Sequence, residues 1–578
     1  MALSKYQFNR LINTRFISTA IKTAFATGLI IGLGACTHSP SSSSVNVSLV
    51  ALNDFHGYIQ ASTYTYADPK NPTQQIATPA GGIAALSGLL TELSEQDPQL
   101  LFVGVGDLIR ASPPVSAMWA DEPSINALNL LGLEFSTLGN HELDEGKAEL
   151  LRQVHGGCES PRPDKACKYA TEFKGATFPY IAANLIDSTS GQPVFAPYLI
   201  KEIKGVKIAF IGAEVEELAS VIPASSMKGI RVLDEAEAIN RYVPEIQRQG
   251  VKAIVALVHQ GGKQQGSFNG CDNFSGDIVD IAQRLDPEID VLLSAHTHQS
   301  YVCKLGKLLI SQGASYGHLV THLNLTLNQA DGEITNAVAE NILVDPNRYR
   351  PTPAIAAFEQ QLVERSKSIL EKPIARIGVQ TINRVANTAG ESAMGDLIAD
   401  AQLAATKNKG AQIAFMNSGG IRSDLSLGEG KAQVVFSQVS AVHPFKGTLQ
   451  VMNLSGAQLK SLLEQQWQAG AVEDFRPLQI SRSFSYQWDA TRPLGNRVIA
   501  ESLRVNGQLV KADNQYRITT NSFLADGGDK FSVFTQGSER EDSAVRDLDA
   551  LIDYLQAQEK AGKPAGQAAP EKRIQRVN

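Results

Sequence analysis

Cysteine is scarce in this chain, which has only five cysteines among its 578 residues. If Cys36 belongs to a processed leader, four remain, and an even number in an exported chain suggests two disulfides. Four cysteines allow three pairings. We favour Cys158–Cys167, which closes a short loop, together with Cys271–Cys303, which ties two loops together. A structural zinc tetrad is disfavoured because neither pair has the Cys-x-x-Cys spacing of such sites.

The chain also lacks a strong net charge, an internal repeat and, beyond its first 36 residues, any segment apolar enough to span a membrane. Its net charge of −7 argues against a protein that coats nucleic acid, and we expect no nucleic-acid polymer as a partner. With 43% hydrophobic and 19% charged residues the composition is that of an ordinary globular protein. A chain of this length predicts two or more domains.

Residues 1–36 are expected to be a targeting segment. A basic leader precedes an apolar stretch that is too short to span a bilayer comfortably, and it ends in "LGAC", which resembles the bacterial lipobox. In that class of signals Cys36 becomes the lipidated first residue. Thr37, by resemblance to the sorting rule of enteric bacteria, favours the outer membrane. The alternative is an ordinary cleaved signal with an incidental cysteine. Residues 37–45 are predicted to be a Ser-rich flexible tether.

Five apolar runs end at side chains that can bind a metal. Each run is rich in Val, Leu, Ile or Ala, as expected of strands buried on both faces, and strand-end loops are where layered α/β proteins build their sites. A single such histidine is more often a turn residue, and Gly139–Asp144 alone could be a polar turn that opens a helix. Coincidence at all five ends is improbable. The seven candidate ligands are Asp54, His56, Asp107, Asn140, His259, His296 and His298.

These donors indicate a catalytic hydrolytic centre, because none is a thiolate and seven are enough for two metal ions. His141 is then the one imidazole left free beside the metals. Mixed Asp, Asn and His ligation suits Zn, Mn or Co.

The order of the motifs, Asp-x-His, Gly-Asp, Gly-Asn-His-Glu, His and His-x-His, resembles that of the calcineurin-like metallophosphoesterases. The C-terminal half resembles the 5′-nucleotidase C-terminal domain, so the similarity covers essentially the whole mature chain. The closest group is that of the bacterial exported 5′-nucleotidases, UDP-sugar hydrolases and 2′,3′-cyclic phosphodiesterases. The resemblance implies an α/β protein, with an N-terminal four-layer αββα sandwich followed by a smaller α/β domain.

The resemblance also implies how the ligands are divided, with Asp107 bridging two divalent metal ions. One ion would bind Asp54, His56, Asp107 and His298, and the other would bind Asp107, Asn140, His259 and His296. His141 and Asp144 would form a catalytic dyad. Two neighbouring cations lower the pKa of a shared water, whose hydroxide attacks phosphorus in line, while His141 donates a proton or hydrogen bond. Many family members have Gln at the position of His298.

The second half contains candidate substrate-binding residues. In "MNSGGIRSD", Asn417 and Arg422 could hold a phosphate or carboxylate through charge-assisted hydrogen bonds, although an ordinary turn with a solvated arginine fits equally well. A single phenylalanine is usually a core residue. The resemblance nevertheless implies that Phe445 and Phe523 sandwich the nucleobase, that Asn417 and Arg422 contact the nucleotide, and that Asp529 receives the ribose hydroxyls.

One position departs from the family pattern. Many 5′-nucleotidases have an arginine just before the segment "ESAMGDL", where this chain has Gly390. Arg384 could substitute, but nothing in the sequence places it. A strict preference for 5′-monophosphates is therefore in doubt.

We predict a metallophosphoesterase domain over 46–345, a linker and helix over 346–373, a substrate-binding domain over 374–557 and a disordered tail over 558–578. The predicted function is an exported 5′-nucleotidase that acts on small nucleotides and is lipid-anchored in the bacterial cell envelope. The alternatives are a 2′,3′-cyclic-nucleotide phosphodiesterase with 3′-nucleotidase activity, a UDP-sugar hydrolase, and a surface nucleotide-binding or adhesion lipoprotein without enzymatic activity. The last is disfavoured because no ligand and neither dyad residue is missing.

Overall fold

The computed structural model describes residues 43–68, 71–445, 447–468 and 475–578. In that part of the chain two six-stranded sheets pack face to face in the first half, and the second half forms a smaller α/β domain. Helices cover the outer faces of both sheets. The predicted fold class, a four-layer αββα sandwich followed by a smaller α/β domain, is confirmed.

The first sheet is parallel on one side and antiparallel on the other. Four neighbouring strands run parallel, and two further strands extend the sheet at one edge through antiparallel pairing. In spatial order the strands are β16 (Ile334–Leu343), β15 (Leu319–Asn328), β1 (Ser44–Leu52), β4 (Leu101–Val105), β5 (Phe135–Thr137) and β6 (Tyr180–Ile181).

The second sheet also has four parallel strands, but here one antiparallel strand lies at each edge. Every residue of Ala253–Val258 is buried, as the continuous apolar run predicts. In spatial order the strands are β13 (Ser300–Leu305), β14 (Leu308–Gly313), β12 (Val291–Ser294), β11 (Ala253–Val258), β9 (Val206–Ala213) and β8 (Tyr198–Ile203). The core between the sheets includes Phe135 and Phe210, whose rings lie 4.8 Å apart.

Helices and two short ribbons complete the first domain. α1, α3, α4 and α8 belong to the core outside the first sheet, and α6 and α7 to the core outside the second. The helices are α1 (Ile83–Gln96), α2 (Pro114–Ala117), α3 (Glu122–Leu131), α4 (Gly146–His155), α5 (Leu218–Val221), α6 (Glu235–Arg248), α7 (Asp277–Arg284) and α8 (Pro353–Leu370). The ribbons pair β2 (Ser62–Asp68) with β3 (Asn71–Ala80), and β7 (Leu185–Asp187) with β10 (Ile230–Val232).

The second domain is built on a mixed five-stranded sheet. In spatial order its strands are β23 (Leu478–Ile480), β19 (Ile413–Asn417), β27 (Gln515–Asn521), β22 (Thr448–Ser455) and β28 (Ser538–Arg546). Its helices are α9 (Ala393–Thr406), α10 (Phe436–Val442), α11 (Gly456–Glu464), α12 (Ser522–Ala525) and α13 (Asp547–Lys560).

Smaller sheets frame this domain. One sheet has the order β26 (Gln508–Leu509), β25 (Arg504–Val505), β24 (Phe484–Trp488) and β29 (Ile574–Arg576). Two-stranded pairs join β17 (Pro373–Ala375) to β21 (Val434–Val435), and β18 (Thr381–Ile382) to β20 (Leu425–Ser426). The 3₁₀ turns of both domains are Asn140–Leu143, Ala224–Met227, Lys407–Lys409, Ser418–Gly420, Ala500–Ser502, Gly528–Lys530 and Ser532–Gln536.

The favoured disulfide pairing is confirmed. Cys158 bonds to Cys167, with Cα atoms 5.5 Å apart, and Cys271 bonds to Cys303, with Cα atoms 5.2 Å apart. Within the described residues no helix is both long and apolar enough to cross a membrane. The predicted leader over 1–36, including Cys36, lies outside the described residues.

Two predicted boundaries are wrong. The tether over 37–45 ends earlier than predicted, because β1 already begins at Ser44; residues 37–42 lie outside the described part. The disordered tail over 558–578 is also wrong, because β29 pairs in parallel with β24. Arg573 is buried and donates hydrogen bonds to Asp400 Oδ2 and to the carbonyl of Ile480, both at 2.7 Å. Backbone pairing and a buried ion pair order a segment whose composition has few apolar residues.

Candidate metal centre and substrate cavity

The predicted ligands follow β1, β4 and β5 in the first sheet, and β11 and β12 in the second. Because the carboxyl ends of these parallel strands meet at one edge of the sandwich, side chains more than 200 residues apart in sequence come together there. Three groups of donor atoms, each within 4.8 Å of one another, gather at this edge. They are a first group, Asp54, His56 and His298; a second group, Asp107, His259 and His296; and a set that connects the two, His56, Asp107 and His141.

The first group has the electronic character of a cation site. His56 Nδ1 donates to the carbonyl of Arg110 at 2.9 Å, so its Nε2 carries a lone pair, and this Nε2 lies 3.1 Å from His298 Nε2. Burial lowers the pKa of both imidazoles well below the ordinary value, so both are neutral. Asp54 Oδ1 lies 3.5 Å from His298 Nε2. Nitrogen lone pairs and a carboxylate directed at one place fit a divalent cation.

The second group lies next to the first, with Asp107 on the side that faces it. His259 Nδ1 donates to the carbonyl of Val105 at 2.9 Å, which directs Nε2 towards Asp107 Oδ2 at 3.1 Å. The same Oδ2 lies 3.7 Å from His56 Nε2, so Asp107 stands between the two groups, where a bridging ligand would stand. His296 Nδ1 lies 2.9 Å from Asn140 Oδ1, which brings Asn140 into the second group.

The charges of the second group also suit a cation. Burial acts against protonation of His259, but the carboxylates of Asp107 and Glu214 outweigh it and raise the pKa of His259 well above its ordinary value. A field that stabilises an imidazolium at this place would equally stabilise a divalent ion. Burial lowers the pKa of His296 to about 3, so this imidazole is neutral and able to ligate.

Backbone strain is concentrated in the ligand loops. Asp54, His56, Asp107, His296 and His298 all have φ between 47° and 70°, in the left-handed region. Such conformations cost free energy at non-glycine residues and persist only where the surrounding structure imposes them. The chain therefore bends sharply at each strand end to direct a ligand towards the shared edge.

Glu142 holds two of these loops together, and sequence analysis missed it. Its carboxylate accepts hydrogen bonds from the N–H groups of Gly139 and Leu108 at 2.7 Å and of Asp107 at 2.9 Å. The approach of the loops requires glycine, since a Cβ atom on Gly139 would lie 2.3 Å from Asp107 Oδ1. The sequence feature that could have identified Glu142 is its position directly after His141.

His141 and Asp144 form the predicted pair. His141 Nδ1 lies 2.8 Å from Asp144 Oδ2, and the backbone N–H of His141 donates to Asp107 Oδ1 at 2.8 Å. Burial acts to lower the pKa of His141, but the carboxylates of Asp144 and Asp107 outweigh it and the pKa is raised. The imidazole thus stands beside the ligand cluster, oriented by a carboxylate that belongs to neither group of ligands.

A cavity of about 420 Å³ joins this cluster to the second domain. His141, Asp144, Asn140 and His296 line it from the first domain. The predicted substrate-binding residues line it from the second, and they are Asn417, Arg422, Phe445, Phe523 and Asp529. Asn417 Nδ2 donates to Asp529 Oδ2 at 2.7 Å. All five predicted substrate-binding residues are therefore brought to one cavity that also reaches the ligand cluster.

Arg422 extends from the second domain into the cavity that the predicted metal ligands also line. Its Nε and Nη2 are buried and have no hydrogen-bond partner among the described residues, and its guanidinium lies 5.9 Å from the ring centre of Phe445. Burial is the main cause of the lowered pKa values of His56 and His298, and the positive charge of Arg422 adds to it. Arg422 therefore has unused donors close to the first group of ligands.

The structure does not bring Arg384 to the cavity. Arg384 is exposed, and its guanidinium donates to the carbonyl of Ile421 at 3.3 Å. Besides Arg422, three arginines line the cavity, Arg110, Arg162 and Arg476, and sequence analysis singled out none of them. A Cβ atom on Gly390 would lie 2.4 Å from the ring of Phe475, the residue before Arg476.

Carboxylate, amide and imidazole donors at the shared edge of two packed sheets define this protein as a metal-dependent phosphoester hydrolase. The family described as calcineurin-like phosphoesterase matches residues 47–300, and the family described as 5′-nucleotidase, C-terminal domain matches residues 373–536. The chain belongs to the family of metallophosphoesterases that combine these two domains.

Two curated relatives and one solved structure show what the chain is similar to. The chain is 30% identical to Cell wall protein Lmo0130 of Listeria monocytogenes, over 95% of this chain and 72% of the relative. It is 28% identical to Endonuclease YhcR of Bacillus subtilis over 89% of this chain, but it spans only 40% of that relative. Among solved structures, a 5′-nucleotidase precursor from Thermus thermophilus is 25% identical and superimposes with a TM-score of 0.74, covering 92% of this chain and all of the other.

Proposed function

We propose that the protein is an exported two-metal 5′-nucleotidase, which releases phosphate from nucleoside monophosphates. The observation that carries this proposal is the single cavity shared by the two ligand groups and the five nucleotide-binding candidates. A substrate that fills it must present a phosphate to the ligand cluster and an aromatic group to Phe445 and Phe523. A nucleoside monophosphate has both.

The donor set fits two divalent ions, one on Asp54, His56, Asp107 and His298, and the other on Asp107, Asn140, His259 and His296. Bound there, divalent cations would supply charge neutralisation and activation of water for attack on phosphorus. His141 is held by Asp144 through Nδ1, which leaves Nε2 to donate a hydrogen bond or proton as negative charge develops on the phosphoryl or leaving oxygen. Arg422 offers two unused guanidinium nitrogens to the phosphate.

The second domain would select the nucleoside. Phe445 and Phe523 are half-exposed at the cavity wall, as residues that stack on a base must be. Stacking accepts any base, so we expect several nucleotides to be hydrolysed. Asp529, fixed by Asn417, is placed to accept hydrogen bonds from ribose hydroxyls.

A substrate panel tests the proposal. The purified, metal-reconstituted protein should release phosphate from AMP with a higher kcat/KM than from 3′-AMP, 2′,3′-cyclic AMP or UDP-glucose. Gly390 stands where many members of the family have an arginine, and this difference makes 2′,3′-cyclic-nucleotide hydrolysis the second candidate function. A higher kcat/KM for 2′,3′-cyclic AMP or 3′-AMP would establish that candidate, and a preference for UDP-glucose would establish a sugar-nucleotide hydrolase.

Anchoring in the cell envelope is a separate part of the proposal and is supported only by the "LGAC" sequence that ends at Cys36. We expect the wild-type protein in the membrane fraction, with a lipid on Cys36. Cys36→Ser should release the protein or leave its precursor unprocessed. Recovery of the wild-type protein as soluble material without detergent would contradict the anchor while leaving the proposed activity untouched.

A further inference from the structure

The first domain contributes apolar side chains to the substrate cavity. Val221 and Pro223 line the cavity and are half-buried there, and both belong to the segment that follows β9. Their neighbours Leu218 and Ile222 are buried in the core outside the first sheet. The segment is therefore anchored by two side chains in the core and presents two others to the cavity.

Contacts between the two domains place one end of this segment beside Asp529. Helix α5, which ends at Val221, packs against the 3₁₀ turn Gly528–Lys530, and Lys530 forms an ion pair with Glu217 across the domain boundary. Asp529 and Lys530 have φ of 53° and 63°, a left-handed conformation that persists only where surrounding contacts impose it. Val221 therefore lies at the end of the cavity that Asp529 lines.

Phe523 lies at the same end of the cavity. A Cβ atom on Gly528 would lie 2.5 Å from the ring of Phe523, so this ring packs directly against the turn that carries Asp529. One candidate for base stacking, the candidate for ribose binding and Val221 are therefore close together. The side chains of Val221 and Pro223 can neither donate nor accept a hydrogen bond, so they interact with a ligand by removing apolar surface from water.

The other end of the segment is attached to the His141–Asp144 pair. Ser226 is buried, and its Oγ donates to the carbonyl of Asp144 at 2.7 Å. Pro223 lies between Val221 and Ser226 in the chain, so the segment runs along the cavity from the Asp529 end to Asp144. A nucleotide with its phosphate at the ligand cluster and its ribose at Asp529 would extend over the same length.

We propose that Val221 and Pro223 form an apolar wall that contacts the nucleoside of the substrate, so that the nucleoside is bound from both domains. The inference rests on the proposed function and extends it, because that function assigns selection of the nucleoside to the second domain alone. The wall favours substrates that carry a nucleoside over small phosphate esters. It accepts different bases, because it contributes apolar area and makes no side-chain hydrogen bond to any of them.

Val221→Ala removes two methyl groups from the wall, and Val221→Thr keeps the branched shape but replaces one methyl group with a hydroxyl group. Val338→Ala is the matched control, since Val338 is an exposed valine of the same domain that does not line the cavity. The metal content and the thermal unfolding of each purified variant are measured first. Adenosine and inorganic phosphate are then titrated calorimetrically, in separate experiments, into the metal-loaded proteins, which requires no turnover.

We expect Val221→Ala to bind adenosine ~3–10-fold more weakly than wild type, as for the loss of two partly buried methyl groups. Val221→Thr should lie between the two, and the control should be unchanged. The affinity for phosphate should be the same in every variant, because the wall contacts the nucleoside and not the phosphate. The KM for AMP should rise in Val221→Ala by a factor similar to the loss of adenosine affinity, and that for 4-nitrophenyl phosphate should rise less.

Unchanged adenosine affinity in metal-loaded Val221→Ala would overturn the inference. An equal loss of affinity for adenosine and for phosphate would also overturn it, because Val221 would then support the fold around Asp144 rather than contact the nucleoside. A wild-type protein that binds adenosine through Val221 but hydrolyses other esters in preference to AMP would instead contradict only the proposed function.

Discussion

The imidazole of His141 faces the ring of Phe445, with ring centres 6.2 Å apart and an interplanar angle of 24°. His141 belongs to the first domain and Phe445 to the second, and 304 positions of sequence separate them. The contact places the residue proposed to donate a proton against one of the two rings proposed to sandwich the nucleobase. A nucleotide in this cavity would touch both domains, so chemistry and recognition can be separated by mutation.

Asp107→Asn should reduce the binding of both metal ions, because Asp107 stands between the two ligand groups and loses its charge. Metal analysis of the purified variant should show less than two ions per chain, and activity should be abolished as it is in the chelated wild-type protein. Restoration of the chelated wild type by divalent metal is the positive control. Asp331→Asn, an exposed carboxylate paired with Lys252, should leave metal content unchanged. Full turnover by protein shown to be metal-free would contradict the two-metal assignment.

His141→Ala should lower kcat by ~10²–10⁴-fold, the usual effect of removing a positioned acid–base group, while both metal ions remain bound. Asp144→Asn should act in the same direction but more weakly, because Asp144 orients the imidazole and does not itself donate the proton. The exposed His155 provides the control substitution His155→Ala. Metal loss in purified His141→Ala would show that His141 is a ligand, as its membership of one donor group permits.

Phe445→Ala and Phe523→Ala should raise the KM for AMP, each by the equivalent of ~1–3 kcal/mol of lost stacking. Hydrolysis of 4-nitrophenyl phosphate should change much less, because that substrate has no nucleobase. Phe268→Ala is a suitable control, since Phe268 is half-exposed and lies outside the cavity. An equal loss of activity on both substrates would indicate that the two rings support the fold rather than stack on the nucleobase.

The buried pair of His443 and Asp547 should make stability depend on pH. His443 Nε2 lies 2.8 Å from Asp547 Oδ2, and His443 Nδ1 donates to the carbonyl of Gly420 at 2.9 Å, in the loop that leads to Arg422. Burial acts to lower the pKa of His443, but the carboxylate of Asp547 outweighs it, so the pKa in the folded state is raised. The stability gained is therefore fully present below the unfolded pKa of about 6.5 and is lost as pH rises through the folded pKa.

Asp547→Asn should remove this pH dependence and cost ~3–5 kcal/mol below pH 6.5, as for loss of one partner of a buried pair. Denaturant unfolding at several pH values, with wild type and variant compared at each pH, measures the difference. A destabilisation that stays constant as pH rises would show that the pair does not titrate in this way.

Arg573→Ala should destabilise the second domain, because it leaves the buried Asp396 and the largely buried Asp400 without their cation. A cost of ~3–5 kcal/mol is expected for breaking such a pair, with a lower Tm in thermal unfolding. The adjacent, exposed Lys572 gives the control Lys572→Ala. If both variants unfold at the wild-type temperature, the terminal strand contributes little to stability.

Much of the first domain and its metal ligands follows from local sequence. Continuous apolar runs that end in Asp, Asn or His specify both the buried strands and the residues that come after them, because a parallel strand buried on both faces has no polar positions until it leaves the sheet. The helix after the linker is predicted on a different ground, since Pro346, Pro351 and Pro353 mark a linker and a helical segment follows them; α8 begins at Pro353. The disulfide pairing was favoured from the sequence, because Cys158–Cys167 closes a short loop and Cys271–Cys303 ties two loops together, but the structure was needed to choose among the three possible pairings.

Only the tertiary structure decided the remaining features, and all of them depend on pairing across long separations. Glu142 binds the backbone of a loop 35 residues away, His443 pairs with a carboxylate 104 residues away, and β29 joins β24 although its own composition predicts disorder. Arg476 is equally undistinguished in sequence, because its place in the cavity depends on the packing of Phe475 against Gly390, Trp467 and Trp488. Local sequence encodes burial and turn preference, whereas these contacts depend on which distant segments the fold brings together.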